Sequence, residues 1–205
     1  MRTYWINDVF HSIQGEGLRA GTPNLFIRFS GCNLACRKEP GEKSPGGFDC
    51  DTEFTSGRNF SLDELWSWME IAIRPGKPRW VILTGGEPTL QIDEPLIDFL
   101  KDRGCSIAIE TNGTNPVIDG VDWITCSPKV AEHALRIETA DEIKYVRGYG
   151  QGIPKPKITA SYKFLSPAFL GDQPDPQAVE WCRKLVMENP EWRLTGQLHK
   201  LAGWR

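Results

Sequence analysis

Three cysteines, Cys32, Cys36 and Cys50, are the residues of this 205-residue chain whose type and spacing most directly promise chemistry. Three residues separate the first two, and thirteen separate the second from the third. All three fall in one polar stretch, Ser30 to Phe54, reading SGCNLACRKEPGEKSPGGFDCDTEF. Thiolates grouped on one loop, in a chain with no sign of secretion, serve metal or redox chemistry more often than disulfides. A closed zinc site takes four protein ligands, whereas three thiolates around an iron–sulfur cluster leave one iron open to a small molecule. The cysteines alone leave three readings open: iron–sulfur, zinc with a His or Asp as fourth ligand, and unrelated thiols.

Other polar residues stand where the chain turns. Gln14-Gly15-Glu16-Gly17 reads either as a plain glycine turn or as a loop whose missing Cβ atoms let backbone approach a ligand. Arg28 ends a β-prone run, Asn24–Phe29, as a solvated charge or as a guanidinium for an anionic ligand. Thr84-Gly85-Gly86-Glu87-Pro88 follows a second β-prone run, so two adjacent glycines expose backbone at a strand end. Ser127-Pro128-Lys129 and Ser166-Pro167-Ala168 also follow short strands, and each reads equally well as a strand-ending turn. Taken alone, Thr52 is a turn residue and His199 a solvated tail side chain.

The elements that must carry these residues are legible as alternating patterns. Tyr4-Trp5-Ile6 is a short β-prone segment before a polar, glycine-rich stretch, Val9 to Gly21. Ser61-Leu62-Asp63-Glu64 has the capping-box form and opens a helix to about Ile73, stopped by Pro75-Gly76. Strand Trp80–Leu83, helix Glu94–Arg103 and strands Ser106–Glu110, Trp123–Cys126, Glu142–Val146 and Tyr162–Leu165 follow. Helix Asp175–Glu188 and a last strand near Trp192–Leu194 complete the series. Alternation of this kind implies an α/β fold with a mostly parallel sheet and right-handed crossovers. Helices are missing between some late strands, so the expectation is a partial, pared-down open (β/α) barrel. Cys105, Cys126 and Cys182 fall within these patterns and read as small core residues.

Composition narrows the class. The length suits one domain, residues 1–205, with Arg37 to Asp49 as a proline- and glycine-rich surface insertion inside the cysteine loop. A net charge of −3 argues against a broadly basic nucleic-acid-binding surface. No apolar run is long enough to span a bilayer, and the first residues lack the signal-peptide pattern, so a cytoplasmic protein is expected.

With these segments in hand, the chain resembles the radical S-adenosylmethionine (SAM) enzymes, whose usual motif is C-x3-C-x2-C with a GGEP segment downstream. More specifically it resembles the 7-carboxy-7-deazaguanine synthase family. The segments that carry the likeness are Gln14-Gly15-Glu16-Gly17, Phe26-Ile27-Arg28, Gly31-Cys32-Asn33-Leu34, Cys50-Asp51-Thr52, Thr84-Gly85-Gly86-Glu87-Pro88, Glu110-Thr111-Asn112-Gly113, Ser127-Pro128-Lys129 and Gln197-Leu198-His199-Lys200. They run in the family's order from residue 6 almost to the C-terminus. The departure is the cysteine spacing: compact members keep two residues between the second and third cysteines, where this chain has Arg37 to Asp49.

The resemblance implies a [4Fe-4S] cluster on Cys32, Cys36 and Cys50, and a Mg2+ ion held in part by Thr52. It implies SAM contacts from Phe48, Asp49, Asp51, Gly85, Gly86, Glu87, Ser127, Pro128, Lys129, Ser166, Pro167, Ala168 and Phe169. A pterin substrate would meet Ile13, Gln14, Gly15, Glu16, Arg28, Thr84, His199 and Arg205. The implied reaction turns 6-carboxy-5,6,7,8-tetrahydropterin into 7-carboxy-7-deazaguanine with loss of ammonia, a step towards queuosine or related deazapurines. A flavodoxin- or ferredoxin-type electron donor and a homodimer are implied as well, with no direct nucleic-acid or membrane partner. Two alternatives stand beside this: an activase that makes a glycyl radical on a partner protein, and an interaction module stapled by zinc.

Overall fold

Most of the β-prone runs join one sheet, and the order of its strands explains where the polar residues meet. The computed structural model describes residues 2–36, 48, 50, 52–73, 80–171 and 173–203. Of the expected insertion at 37–49, only Phe48 is among them. The strands are β1 (Tyr4–Ile13), β2 (Pro23–Phe29), β3 (Arg58–Phe60), β4 (Trp80–Gly85), β5 (Ser106–Thr111), β6 (Trp123–Cys126), β7 (Thr139–Arg147), β8 (Thr159–Pro167), the two-residue pair β9 (Phe169–Leu170) and β10 (Gln173–Pro174), and β11 (Trp192–Leu194). Nine of them form one sheet in the order β11-β8-β7-β6-β5-β4-β2-β1-β3. Neighbours from β11 to β2 run parallel; β1 pairs antiparallel with both β2 and β3. The two edges, β11 and β3, do not pair, so the barrel is open, as expected.

The helices form where local chemistry can cap them. Helix α1 (Leu62–Ala72) starts at Ser61, whose hydroxyl accepts from the Glu64 amide while the Glu64 carboxylate accepts from the Ser61 amide. That satisfies two otherwise orphaned amides. Asp93 caps α2 (Glu94–Asp102), and Asp175 with Pro176 in the first turn starts α3 (Pro176–Glu188). A fourth, one-turn helix α4 (Leu198–Leu201) follows β11. No α-helix connects β5 to β6, β6 to β7 or β7 to β8; a short 3-10 turn, Glu132–Ala134, is the only helical turn there. The barrel is pared down at the places anticipated.

The first strand runs further than expected. The polar, glycine-rich stretch from Val9 is strand as far as Ile13, because His11 and Ser12 pair with Leu25 and Asn24 of β2. Pairing to a buried neighbour decides strand formation more than the polarity of single residues does.

The two faces of the sheet are unlike. Outside, Leu25, Ile27, Val81, Leu83, Ile107 and Ile109 pack under α1 and α2, and Ile143, Leu165 and Trp192 pack with Cys182 and Leu185 of α3. Cys105, Cys126 and Cys182 are buried, as expected of core residues. Inside, Phe10, Phe26, Ile82 and Ala108 form a separate apolar floor flanked by Trp80 and Trp123. The rings of Phe10 and Phe26 stack with centroids 5.0 Å apart.

Candidate active site

Side chains alternate along a strand, so the inner face shows again two residues past the floor. There it turns polar. Arg28 is in register with Thr84, Glu110 with Thr125, and Thr125 with Glu142. The Thr84 hydroxyl donates to Glu110 at 2.8 Å, and the Thr125 hydroxyl to Glu142 at 2.8 Å. Arg28 lies over the Phe10 ring, 5.2 Å from its centroid, with a buried Nε that no acceptor among the described residues reaches. One row of acid, hydroxyl and guanidinium thus crosses five neighbouring strands above an apolar floor.

The loop after β1 leans over this row. Gln14 donates through Nε2 to Glu110 at 2.9 Å, joining Glu110 and Thr84 in one network. The Glu16 carboxylate pairs with Lys144 of β7. The Gly17 amide donates to Thr195 at 2.9 Å, and the Leu18 amide to Glu142 at 2.8 Å. Burial pushes the Glu142 carboxyl up, with the Leu18 and Thr125 hydrogen bonds opposing. The far end of the chain arrives at the same place: the Leu198 amide donates to the Gly15 carbonyl at 3.1 Å. A Cβ on Gly15 would run into the His199 imidazole. Ile13, Gln14, Gly15, Glu16, Arg28, Thr84 and His199 are therefore brought to one region. Arg205 lies outside the described residues.

The cysteine loop sits beside the Gly85-Gly86 strand end. A Cβ on Gly86 would strike the Gly31 carbonyl and come within 3.2 Å of Cys32 Cβ, so only glycine permits this approach. The Glu87 amide donates to the same Gly31 carbonyl at 2.9 Å. Cys32 and Cys36 are half-buried and Cys50 is exposed. The Cys32 sulfur accepts from the Leu34 amide at 3.4 Å, and Asn112 Nδ2 stands 4.0 Å from it. Burial pushes the Cys32 and Cys36 thiols up; the Leu34 amide opposes this at Cys32 and Lys129 at Cys36. Glu87, Cys36 and Cys50 push the Cys32 thiol further up.

Among the described residues, no three His, Cys, Asp or Glu side chains are drawn into a cage for one metal ion. A single zinc with ~2.3 Å bonds would need sulfurs within about 4 Å of one another. A four-iron cluster spreads its thiolates wider, and amide donors aimed at a cysteine sulfur suit a thiolate ligand. The donor set fits such a cluster. Asp49 and Asp51 lie outside the described residues.

The remaining residues expected to hold SAM line the C-terminal ends of β4 to β8. Ser127 follows β6 and donates its amide to the Thr111 carbonyl at 2.8 Å. Ser166 and Pro167 end β8 in register with Val146 and Arg147 of β7, and the Ala168 amide donates to the Arg147 carbonyl at 3.0 Å. Phe169 opens β9. The Phe48 ring packs 3.5 Å from where a Cβ on Gly148 would stand, next to those strand ends. Glu87 lies in the same segment with its side chain turned into the protein. It is 0% exposed, and its carboxylate accepts from Thr89 Oγ1, Thr111 Oγ1 and the Asn112 amide at 2.6, 2.7 and 2.7 Å. A ligand can meet this segment at the half-buried Gly85 and Gly86, whereas the Glu87 carboxylate ties it to the end of β5.

Reading the sequence did not single out Lys144, Glu142, Thr125 or Thr195, and quoted Glu110 and Asn112 only inside a longer segment. An inward lysine and glutamate two apart in an apolar strand, Glu142-Ile143-Lys144, was the available signal, because two charges on a buried face must be partnered.

An open, mostly parallel barrel, with a three-cysteine loop against a Gly-Gly strand end, makes this an enzyme of the radical SAM class. No protein-family model matches the chain. Curated relatives do. The 7-carboxy-7-deazaguanine synthase of Bacteroides thetaiotaomicron is 42% identical over 98% of both chains. That of Nitratidesulfovibrio vulgaris is 38% identical over 98% of this chain and 99% of its own. A crystal structure of QueE from Escherichia coli superposes with a TM-score of 0.67 at 27% identity, covering 96% of this chain and 95% of that one. The chain belongs to the 7-carboxy-7-deazaguanine synthase family.

Proposed function

We propose that this chain converts 6-carboxy-5,6,7,8-tetrahydropterin to 7-carboxy-7-deazaguanine with loss of ammonia, within 7-deazapurine (queuosine) biosynthesis. Family membership supports the reaction. The observation that best supports the site is Arg28, whose buried Nε lies above the apolar floor with no acceptor among the described residues. A buried guanidinium edge without a partner is costly, and a substrate carboxylate satisfies it with two parallel hydrogen bonds. Gln14, Gly15, Glu16 and Thr84 then offer donors and acceptors to the alternating edge of the pterin. His199, seated on Gly15, closes the loop side and keeps water out.

Cys32, Cys36 and Cys50 would hold the [4Fe-4S] cluster, and Gly85, Gly86, the Ser127–Lys129 turn and the Ser166–Phe169 segment would hold SAM, with Phe48 beside the last. When bound, cluster and SAM supply the radical that starts the reaction. Thr52 offers its hydroxyl oxygen to Mg2+, a cation that takes oxygen ligands and keeps several waters. A flavodoxin- or ferredoxin-type donor, a homodimer and a reducing cytoplasmic setting complete the proposal; six cysteines with no disulfide among the described residues suit that setting. Among the described residues no helix is long and apolar enough to cross a membrane.

The test is anaerobic reconstitution with iron and sulfide, followed by SAM, dithionite, Mg2+ and 6-carboxytetrahydropterin, with mass spectrometry for the deazaguanine product. Product that disappears in Cys36→Ala is expected. SAM cleavage without product would remove the substrate, and protein that holds zinc and no cluster would turn the reading to an interaction module.

A further inference from the structure

Strand β7 presents two ionisable side chains to the inner face, Glu142 and Lys144, and both act on the loop after β1. Glu142 holds its backbone: one carboxylate oxygen accepts from the Leu18 amide, and the other is held by Thr125. A Cβ on Gly17 would run into that carboxylate, so the loop lies against it as closely as a backbone can. Lys144 holds a side chain. Its ammonium pairs with Glu16, and the two side chains are only 15% and 12% exposed. No hydrogen bond from elsewhere among the described residues reaches the paired Glu16 oxygen. Burial pushes the Lys144 ammonium down to about 8, because desolvation disfavours the charged form. Buried ion pairs add little net stability compared with apolar packing; what they do fix is geometry.

We infer that Lys144 is a positioning residue for pterin recognition, fixing the orientation of the Glu16 carboxylate while Glu142 fixes the backbone that carries it. A carboxylate receiving two parallel N–H bonds from a guanidine-like edge must lie in the plane of that edge. A Glu16 free to rotate would lose that alignment, and the ordering would be repaid at every binding event. The inference rests on the reading of Glu16 as a pterin contact.

The test is anaerobic calorimetric titration of 6-carboxytetrahydropterin into the reconstituted, SAM-loaded protein without reductant, so that nothing turns over. Lys144→Met keeps the apolar stem and removes the charge. It should weaken pterin binding roughly 10- to 100-fold, the range for losing a charge-assisted contact, and leave SAM binding unchanged. Glu16→Gln should weaken pterin binding too, and adding Lys144→Met to it should cost no more than about twofold further, because Lys144 acts through Glu16. Losses that multiply would overturn the positioning role, as would unchanged affinity in Lys144→Met. If Lys144→Met does not fold, Lys144→Gln goes through the same cycle, and the same two results decide for or against the role. Failure of the parent chain to bind the pterin removes the substrate reading and this inference together; parent binding with an indifferent Lys144→Met removes the inference alone.

Discussion

Glu87 illustrates how a residue in a candidate ligand segment can also hold the protein together. Its buried carboxylate collects hydrogen bonds from Thr89, Thr111 and the Asn112 amide, joining the Gly85-Gly86 turn to the end of β5. Glu87→Gln replaces one acceptor oxygen with a donor that faces another donor. The expected cost is about 1–3 kcal/mol of stability, the penalty for a buried polar group left unpaired. Urea unfolding without SAM is the measurement. A variant as stable as its parent would show that the carboxylate matters only to the ligand. At this scale the sequence is legible where chemistry is local: three cysteines on one loop, two glycines at a strand end. It is not legible where the partner is brought by the sheet. Lys144 and Glu16 are neighbours only because β7 faces the hairpin loop, and no spacing rule connects residues 16 and 144.

Elements were readable to the extent that they carry their own terminators. The capping box of Ser61 and Glu64 marks a helix start that the structure keeps, and the helices expected from Glu94 and Asp175 begin within a residue of those positions, capped by Asp93 and Asp175. Strands β6 and β11 have the anticipated bounds because each is a short segment around a buried apolar or aromatic residue between turns. By contrast β3 and α4 exist through tertiary pairing: β3 is three residues laid against β1, and α4 is one turn seated on Gly15. An isolated turn of helix is unstable in water, so its sequence carries little signal. That dependence makes Gly15→Ala informative. The added Cβ would run into the His199 imidazole, and a one-turn terminal element yields cheaply. Unfolding stability should change by less than about 1 kcal/mol. The pterin KM should rise roughly tenfold, equivalent to one lost hydrogen bond. An unchanged KM would mean that His199 takes no part in the site.

At the scale of the molecule, the two faces of one sheet do different work, and substitution can separate them. Leu83 faces out into the core under α1 and α2, while Phe26 faces in, stacked on Phe10 beneath the Arg28 row. Truncating either to Ala leaves a buried apolar cavity, the larger one at Phe26. The cost should be about 2–5 kcal/mol at Leu83 and about 3–5 kcal/mol at Phe26. Denaturant midpoints should therefore fall in both. The consequences for function should differ. A cavity under α1 and α2 is separated from the inner face by the sheet itself, whose parallel ladder from β2 through β8 stays intact. A cavity at Phe26 opens directly under Arg28, whose guanidinium lies over the partner ring of that stack. Interiors are close-packed, so a lost ring lets the groups above it settle. Phe26→Ala should then raise the pterin KM several-fold beyond Leu83→Ala, with cluster content and SAM binding alike in the two. Equal KM values at matched stability loss would show that the polar row is held by the strands alone and needs no floor.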